Sequence, residues 1–193
     1  EWDTLEGVKA AAAGCTRCPL HCDATSTVFG DGPQDARLMI VGEQPGDRED
    51  LSGRPFVGPA GQLLDRALVE AGVDRAATYM TNAVKHFKFT VRGKRRIHQS
   101  PDVSEIETCR FWLDRERSFV KPRVILGLGL SAARALTGRS GTMRDLRQQL
   151  VVEGDGTVVR FTVHPAALLR LPDLERERAW PHFVEDIRAA SLI

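Results

Sequence analysis

The sequence predicts an α/β fold: a three-layer α/β/α sandwich around a mainly parallel central sheet of about four strands. Three observations carry the prediction. Strand-length apolar runs alternate along the chain with longer segments whose apolar residues recur at helical spacing. The first run, "ARLMIVGE" at 36–43, is continuously apolar up to a turn, as a strand buried on both faces would be. The chain of 193 residues, 42% of them hydrophobic, is long enough for one domain, 1–193, with a substantial core.

The elements follow in order. After the first strand, "GPAGQLLDRALVEAGV" (58–73) has helical spacing and a glycine near its end. "TYMTNAV" (78–84) reads as a second strand. "DVSEIETCRFWLDRERSFV" (102–120) reads as a helix capped by Asp102 or Ser104, with Pro122 just past its end. "RVILGLG" (123–129) is a third strand and "SAARALTG" (131–138) a short helix behind it. "GTVVRFTVHP" (156–165) is a fourth strand, and "LERERAWPHFVEDIRAASL" (174–192) a last helix in which Pro181 marks a place for a bend.

Composition excludes several classes. A formal net charge of +1 is not that of a globally basic nucleic-acid binder. Nucleic-acid affinity must therefore come from a local patch: Arg92, Lys94, Arg95 and Arg96, with Lys85 and Lys88 nearby. No apolar run approaches the roughly 20 residues of a membrane span. The opening "EWDTLEG" is acidic, unlike the basic start of an export signal. Four cysteines in such a chain do not suggest a disulfide set. Cys15, Cys18 and Cys22 cluster near the start and Cys109 lies far along the chain, a pattern that favours a metal or iron–sulfur site over buried free thiols.

In a parallel sheet, ligands bind outside the C-terminal strand ends. "GEQPGD" (42–47) follows the first strand, Asn82 to His86 the second, and "HPAALLR" (164–170) the fourth. Three polar, glycine- or proline-containing segments thus converge on one crevice. The glycines of "GLGLS" after the third strand permit close backbone approach. They do not form a G-x-G-x-x-G fingerprint at the first strand, so a dinucleotide site is not expected. "GKRRIHQSP" (93–101) carries three consecutive cations and then His98. Cations suit phosphate, but a histidine is mostly neutral at pH 7 and needs another reason to be there.

"VGEQPGDREDLSGRPFVGPAGQLLDRAL", "TNAVKHFKF", "GKRRIH" and "VHPAALLR" together resemble the uracil-DNA glycosylase superfamily. Within it the chain is most similar to the iron–sulfur branch, and there to UdgX-type members. The similarity runs from Cys15 to about Arg170, with segments in the family's order. It implies the sandwich fold, excision of uracil from single- or double-stranded DNA with free uracil as product, and a monomer in the cytoplasm. The chemistry asks for an aromatic face, an amide for the uracil edge, and a donor at the oxygen that gains charge as the flipped base leaves. By resemblance these are Phe56, Asn82 and His164, with Gly42, Gln44 and Asp47 as further uracil contacts. Lys94, Arg95, Arg96 and Arg170 are the candidate DNA contacts.

The resemblance also implies a [4Fe–4S] cluster on Cys15, Cys18 and Cys109 in the N-terminal ligand segment and the helix at 102–120. The family's usual cysteine after the second strand is missing. His86 stands there and is favoured as fourth ligand, with Cys22 as its competitor. In UdgX-type members the R-R-I-H histidine takes the place of the attacking water, which gives His98 a covalent role with Glu43 as its carboxylate partner. Two rivals remain: a turning-over iron–sulfur glycosylase in which His98 only positions water, and a non-catalytic iron–sulfur module that binds DNA.

Overall fold

Seven strands and eight α-helices form in the computed structural model, which describes residues 2–193. The strands are β1 (Leu38–Gly42), β2 (Thr78–Asn82), β3 (Phe89–Arg92), β4 (Arg95–His98), β5 (Val124–Leu128), β6 (Val151–Val152) and β7 (Val158–Thr162). The helices are α1 (Leu5–Ala13), α2 (Asp47–Ser52), α3 (Pro59–Ala71), α4 (Val103–Val120), α5 (Gly129–Thr137), α6 (Met143–Arg147), α7 (Pro165–Leu169) and α8 (Asp173–Ser191). The central sheet has the order β2-β1-β5-β7-β6, parallel throughout except for β6. It therefore has five strands, one more than expected, because a two-residue antiparallel strand closes the β7 edge.

The apolar runs are continuous because each central strand is covered on both sides. Along β1, Met39 and Val41 pack with α1, α4 and α5, and Leu38 and Ile40 pack with α3 and α8. Asp102 caps α4, accepting from the Glu105 N–H while Glu105 reaches back to the Asp102 N–H. Helix α8 continues through Pro181, so the proline does not end it. Helices α1, α2, α6 and α7 went unforeseen, as did the pairing of β3 with β4 in a hairpin.

One register positions the crevice. Gly42 of β1 lies beside Asn82 of β2, at the C-terminal edge of the sheet. Beneath it a charged pair is sealed from water: Lys85 Nζ and Glu116 Oε2 are 2.5 Å apart, with both side chains 0% exposed. The ammonium also donates to Thr81 Oγ1 at 2.6 Å and to the Asn82 carbonyl at 2.7 Å. The carboxylate accepts from the Gly30 N–H at 2.7 Å and from the Thr81 and Tyr79 hydroxyls. Lys85→Met would leave Glu116 buried without its cation and is expected to remove about 3–5 kcal/mol of stability. Lys85→Met/Glu116→Gln should recover part of it, as read by urea unfolding.

Candidate active site

A cavity of about 1090 Å³ opens at the C-terminal strand ends and is lined by Glu43, Gln44, Asp47, Phe56, Asn82, His98, His164 and Arg170, among others. Eight of the residues singled out in the sequence thus meet at one place. Phe56 is buried and sits in the left-handed region, with φ 56°. A non-glycine residue held there marks backbone strain, which persists only when its surroundings enforce it. Gly61 permits the turn: a Cβ there would fall 1.9 Å from the Phe56 carbonyl oxygen. Glu49 braces both flanks, accepting from Gly46 N at 3.1 Å and Gly58 N at 2.6 Å.

Gly42 acts by lacking a side chain. A Cβ there would lie 2.4 Å from Asn82 Oδ1 and 2.7 Å from Phe56 Cζ, so the glycine lets amide and ring close on the same spot. Its carbonyl is taken by the Ala83 N–H. Gln44, expected to contact uracil, uses its side chain within the chain. Its Nε2 donates to the Gln99 and Lys88 carbonyls at 2.8 and 3.3 Å, and its Oε1 accepts from Lys88 N at 3.1 Å. All its hydrogen-bonding atoms are committed to the base of the hairpin.

The "GKRRIH" segment supplies the turn and second strand of that hairpin, which closes through a two-residue turn with Gly93 at φ 62°. Strand alternation puts Arg96 and His98 on one face, and Arg95 on the other. Arg96, expected to contact phosphate, has partners within the chain. Its guanidinium donates to Asp47 Oδ1 at 2.6 Å and to the fully buried Asp50 at 2.5 Å. It also lies over the rings of Phe87 and Phe89. Arg96 therefore pins the hairpin to the body, and Asp47 is its partner rather than a free acceptor. Lys94 and Arg95 stay exposed at the tip, and Arg170 is exposed on the cavity rim.

So docked, His98 brings Nε2 to 3.3 Å from Glu43 Oε1, with its side chain 44% exposed. The other carboxylate oxygen accepts from Ser131 Oγ at 2.5 Å. Burial alone would raise the Glu43 carboxyl, yet the His98 and Ser131 hydrogen bonds hold it below its ordinary value. Across the cavity, His164 caps α7: its Nδ1 accepts from Ala166 N at 3.1 Å, which leaves its ring proton on Nε2. Burial lowers its pKa to about 4, so it is neutral at pH 7 and a donor at Nε2. Ser131, Gly61, Glu49 and Asp50 were not singled out in the sequence. For Ser131 a signal existed, since a serine just after a glycine-containing strand end is well placed to face the crevice.

Cys15, Cys18 and Cys109 are free and buried, and Cys22 is exposed. Among the described residues, no three His, Cys, Asp or Glu side chains are close enough together to hold one metal ion. A cubane cluster binds each ligand through a different iron and so does not require that closeness. The donor set fits such a group. Cys15 Sγ accepts from Trp112 Nε1 at 3.1 Å and Cys109 Sγ from Lys85 N at 3.2 Å, the kind of bond that steadies ligating sulfur. His86 is buried, with Nε2 2.8 Å from Thr27 Oγ1 and Nδ1 lacking any hydrogen-bond partner. A buried polar atom without a partner calls for an explanation, and ligation would supply one.

The uracil DNA glycosylase superfamily model matches residues 29–188. The chain belongs to the uracil-DNA glycosylase superfamily. It is 39% identical to the type-4 uracil-DNA glycosylase of Pyrobaculum aerophilum, over 90% of this chain and 88% of that one. It is 34% identical to the type-4 uracil-DNA glycosylase of Thermotoga maritima, over 97% and 93%. A type-5 uracil-DNA glycosylase of P. aerophilum is 31% identical over 80% and 79%.

The lowered His164 sets a pH dependence of stability. Above its ordinary value of 6.5, His164 is neutral whether folded or unfolded. Between about 6.5 and 4 the unfolded chain binds a proton that the folded state refuses, so stability falls with pH across that window and then levels. His164→Gln should lack this loss, seen as a smaller drop in Tm than wild type over the same range.

Proposed function

We propose that the protein excises uracil from DNA and ends covalently linked, through His98, to the C1′ carbon of the deoxyribose. The observation that carries this reading is His98 Nε2 lying 3.3 Å from Glu43 Oε1 at the mouth of the cavity that holds Phe56, Asn82 and His164. A flipped uracil stacks on Phe56 and is read along its edge by the Asn82 amide. As the bond from C1′ to N1 breaks, its electron pair leaves with the base, and His164 Nε2–H donates to the oxygen that gains charge. The sugar becomes an oxocarbenium ion. A lone pair of the neutral His98 imidazole forms the new C–N bond, with Glu43 stabilising the cationic ring. Loss of the remaining ring proton to solvent leaves a neutral N-alkyl imidazole, a very poor leaving group, so the linkage persists.

Cys15, Cys18, Cys109 and the unpartnered Nδ1 of His86 would hold a [4Fe–4S] cluster, which when bound braces the segments it joins. His86 is favoured over Cys22, which is exposed and 3.7 Å from His21 Nε2. The type-4 relatives favour a second reading in which water attacks and the enzyme turns over. A denaturing gel after mixing with a uracil-containing oligonucleotide separates these readings. A heat-stable shifted band supports capture, and an alkali-labile abasic site without the band supports turnover. If neither appears, only DNA binding remains.

His98→Ser is expected to lose the adduct and release uracil with turnover, because water can then occupy the vacated space beside Glu43. Mass spectrometry of the wild-type digest should find the DNA remnant on the peptide that contains His98. Arg95→Ala should lower the salt slope of DNA binding by roughly one unit. Arg96→Ala should leave that slope nearly unchanged but slow adduct formation, since its side chain holds the hairpin rather than the strand.

A further inference from the structure

We propose that Ser131 is a positioning residue for the reaction, its hydroxyl fixing the Glu43 carboxylate so that one oxygen is held by α5 and the other faces His98. The inference rests on the reading that Glu43 and His98 act at the sugar. A glutamate carboxylate turns freely about its last torsion, with a broad, roughly two-fold preference. Two acceptor oxygens held by two different elements remove that freedom. Oε2 is 2.5 Å from Ser131 Oγ, and Oε1 is 3.3 Å from His98 Nε2. An ionised carboxylate only accepts, so the hydroxyl must donate.

The backbone explains why a serine can reach it. Gly129 has φ +86°, which turns the chain from β5 directly into α5 and brings Ser131 into the first turn of that helix. The nine-residue helix presents unsatisfied N–H groups and its positive dipole end there, which favours a carboxylate beside it. A Cβ at Gly129 would lie 3.2 Å from His164 Cβ, so the same turn seats the leaving-group donor. Ser131 is not among the residues lining the cavity, so its influence on the chemistry passes through Glu43.

Three titratable groups bear on this carboxylate and its surroundings. His98 from β4 and His164 at the head of α7 both act on Glu43, and Arg170 at the end of α7 acts on His164. Burial opposes them, and the hydrogen bonds from His98 and Ser131 outweigh it. Removing the hydroxyl should therefore raise the carboxyl pKa and let the group rotate away from His98. A contact that only held α5 in place would change neither.

The experiment is single-turnover uracil release and adduct formation on a uracil-containing oligonucleotide, from pH 4.5 to 8, for wild type, Ser131→Ala, Ser131→Thr, Glu43→Gln and the Ser131→Ala/Glu43→Gln pair. Ser131→Ala should slow the reaction at saturating DNA by about ten- to a hundredfold and leave the half-saturating concentration unchanged. Its acid limb should move to higher pH, and Ser131→Thr should restore both. The double variant should be no slower than Glu43→Gln alone, because the hydroxyl has nothing left to position. If Ser131→Ala proves too unstable to assay, Ser131→Cys, a weaker donor in the same space, should show the same acid-limb shift in smaller measure. A wild-type rate and acid limb in the variants, or a double variant slowed by the product of both effects, overturns the proposal. A wild type that releases uracil without an adduct would instead sink the covalent reading, and the Ser131 comparison would still be read from uracil release.

Discussion

The buried ion pair of Lys85 and Glu116 is the interaction on which the two halves of the site depend. Glu116 comes from α4, Lys85 from the segment after β2, and the same carboxylate holds Gly30, Thr81 and Tyr79. From Lys85 two connections run outward: its ammonium to the carbonyl of Asn82, and its backbone N–H to Cys109. The backbone of Asn82 at the cavity and the thiol of Cys109 are therefore both tied to one residue. A fully buried charge pair is a weak source of net stability but severe toward the loss of either partner. That severity gives the strand ends one arrangement instead of several.

A second ion pair does for the hairpin what the first does for the sheet. Strands β3 and β4 pair only with each other among the described residues and have no fully buried residue, so packing alone would not place them. Arg96 supplies the missing constraint by bridging Asp47 and Asp50 beneath Phe87 and Phe89. Asp50 also accepts from the Thr25 and Ser26 N–H groups, which follow the N-terminal cysteines. The position of His98 is thus set by the tie between its strand and the two α2 carboxylates, Asp47 and Asp50.

The sheet was legible because continuous apolar runs leave little choice of element, and α4 because Asp102 and Glu105 form a recognisable cap. The hairpin was not, since a run of cations around one glycine reads as a loop when the rings and carboxylates that hold it are elsewhere in the sequence. The converging ends of parallel strands pointed to the crevice, but Glu43, Phe56, Asn82 and His164 were picked out within it by the family resemblance. The partners that Arg96 and Gln44 have within the chain went unread for one reason. Charge and amide chemistry are visible in a sequence, but Asp50 and the Gln99 carbonyl lie about fifty residues from the groups they satisfy. Ser131 went unnoticed because its partner, Glu43, is on another strand end.

The clasp at the foot of the hairpin has a consequence for how such a site could arise or be rebuilt. The Gln99 N–H donates to the Lys88 carbonyl at 2.9 Å, and the Gln44 side chain ties the backbones of both residues together. Residues 89–98 therefore leave and rejoin the body at nearly one point. Joining ends already in contact requires little loop closure, so the segment can change in length at little cost in chain entropy, provided Asp50 keeps a cation. A scaffold of this kind could thus gain or lose the segment that carries His98 in one genetic step, with Gln44 as the socket that accepts it.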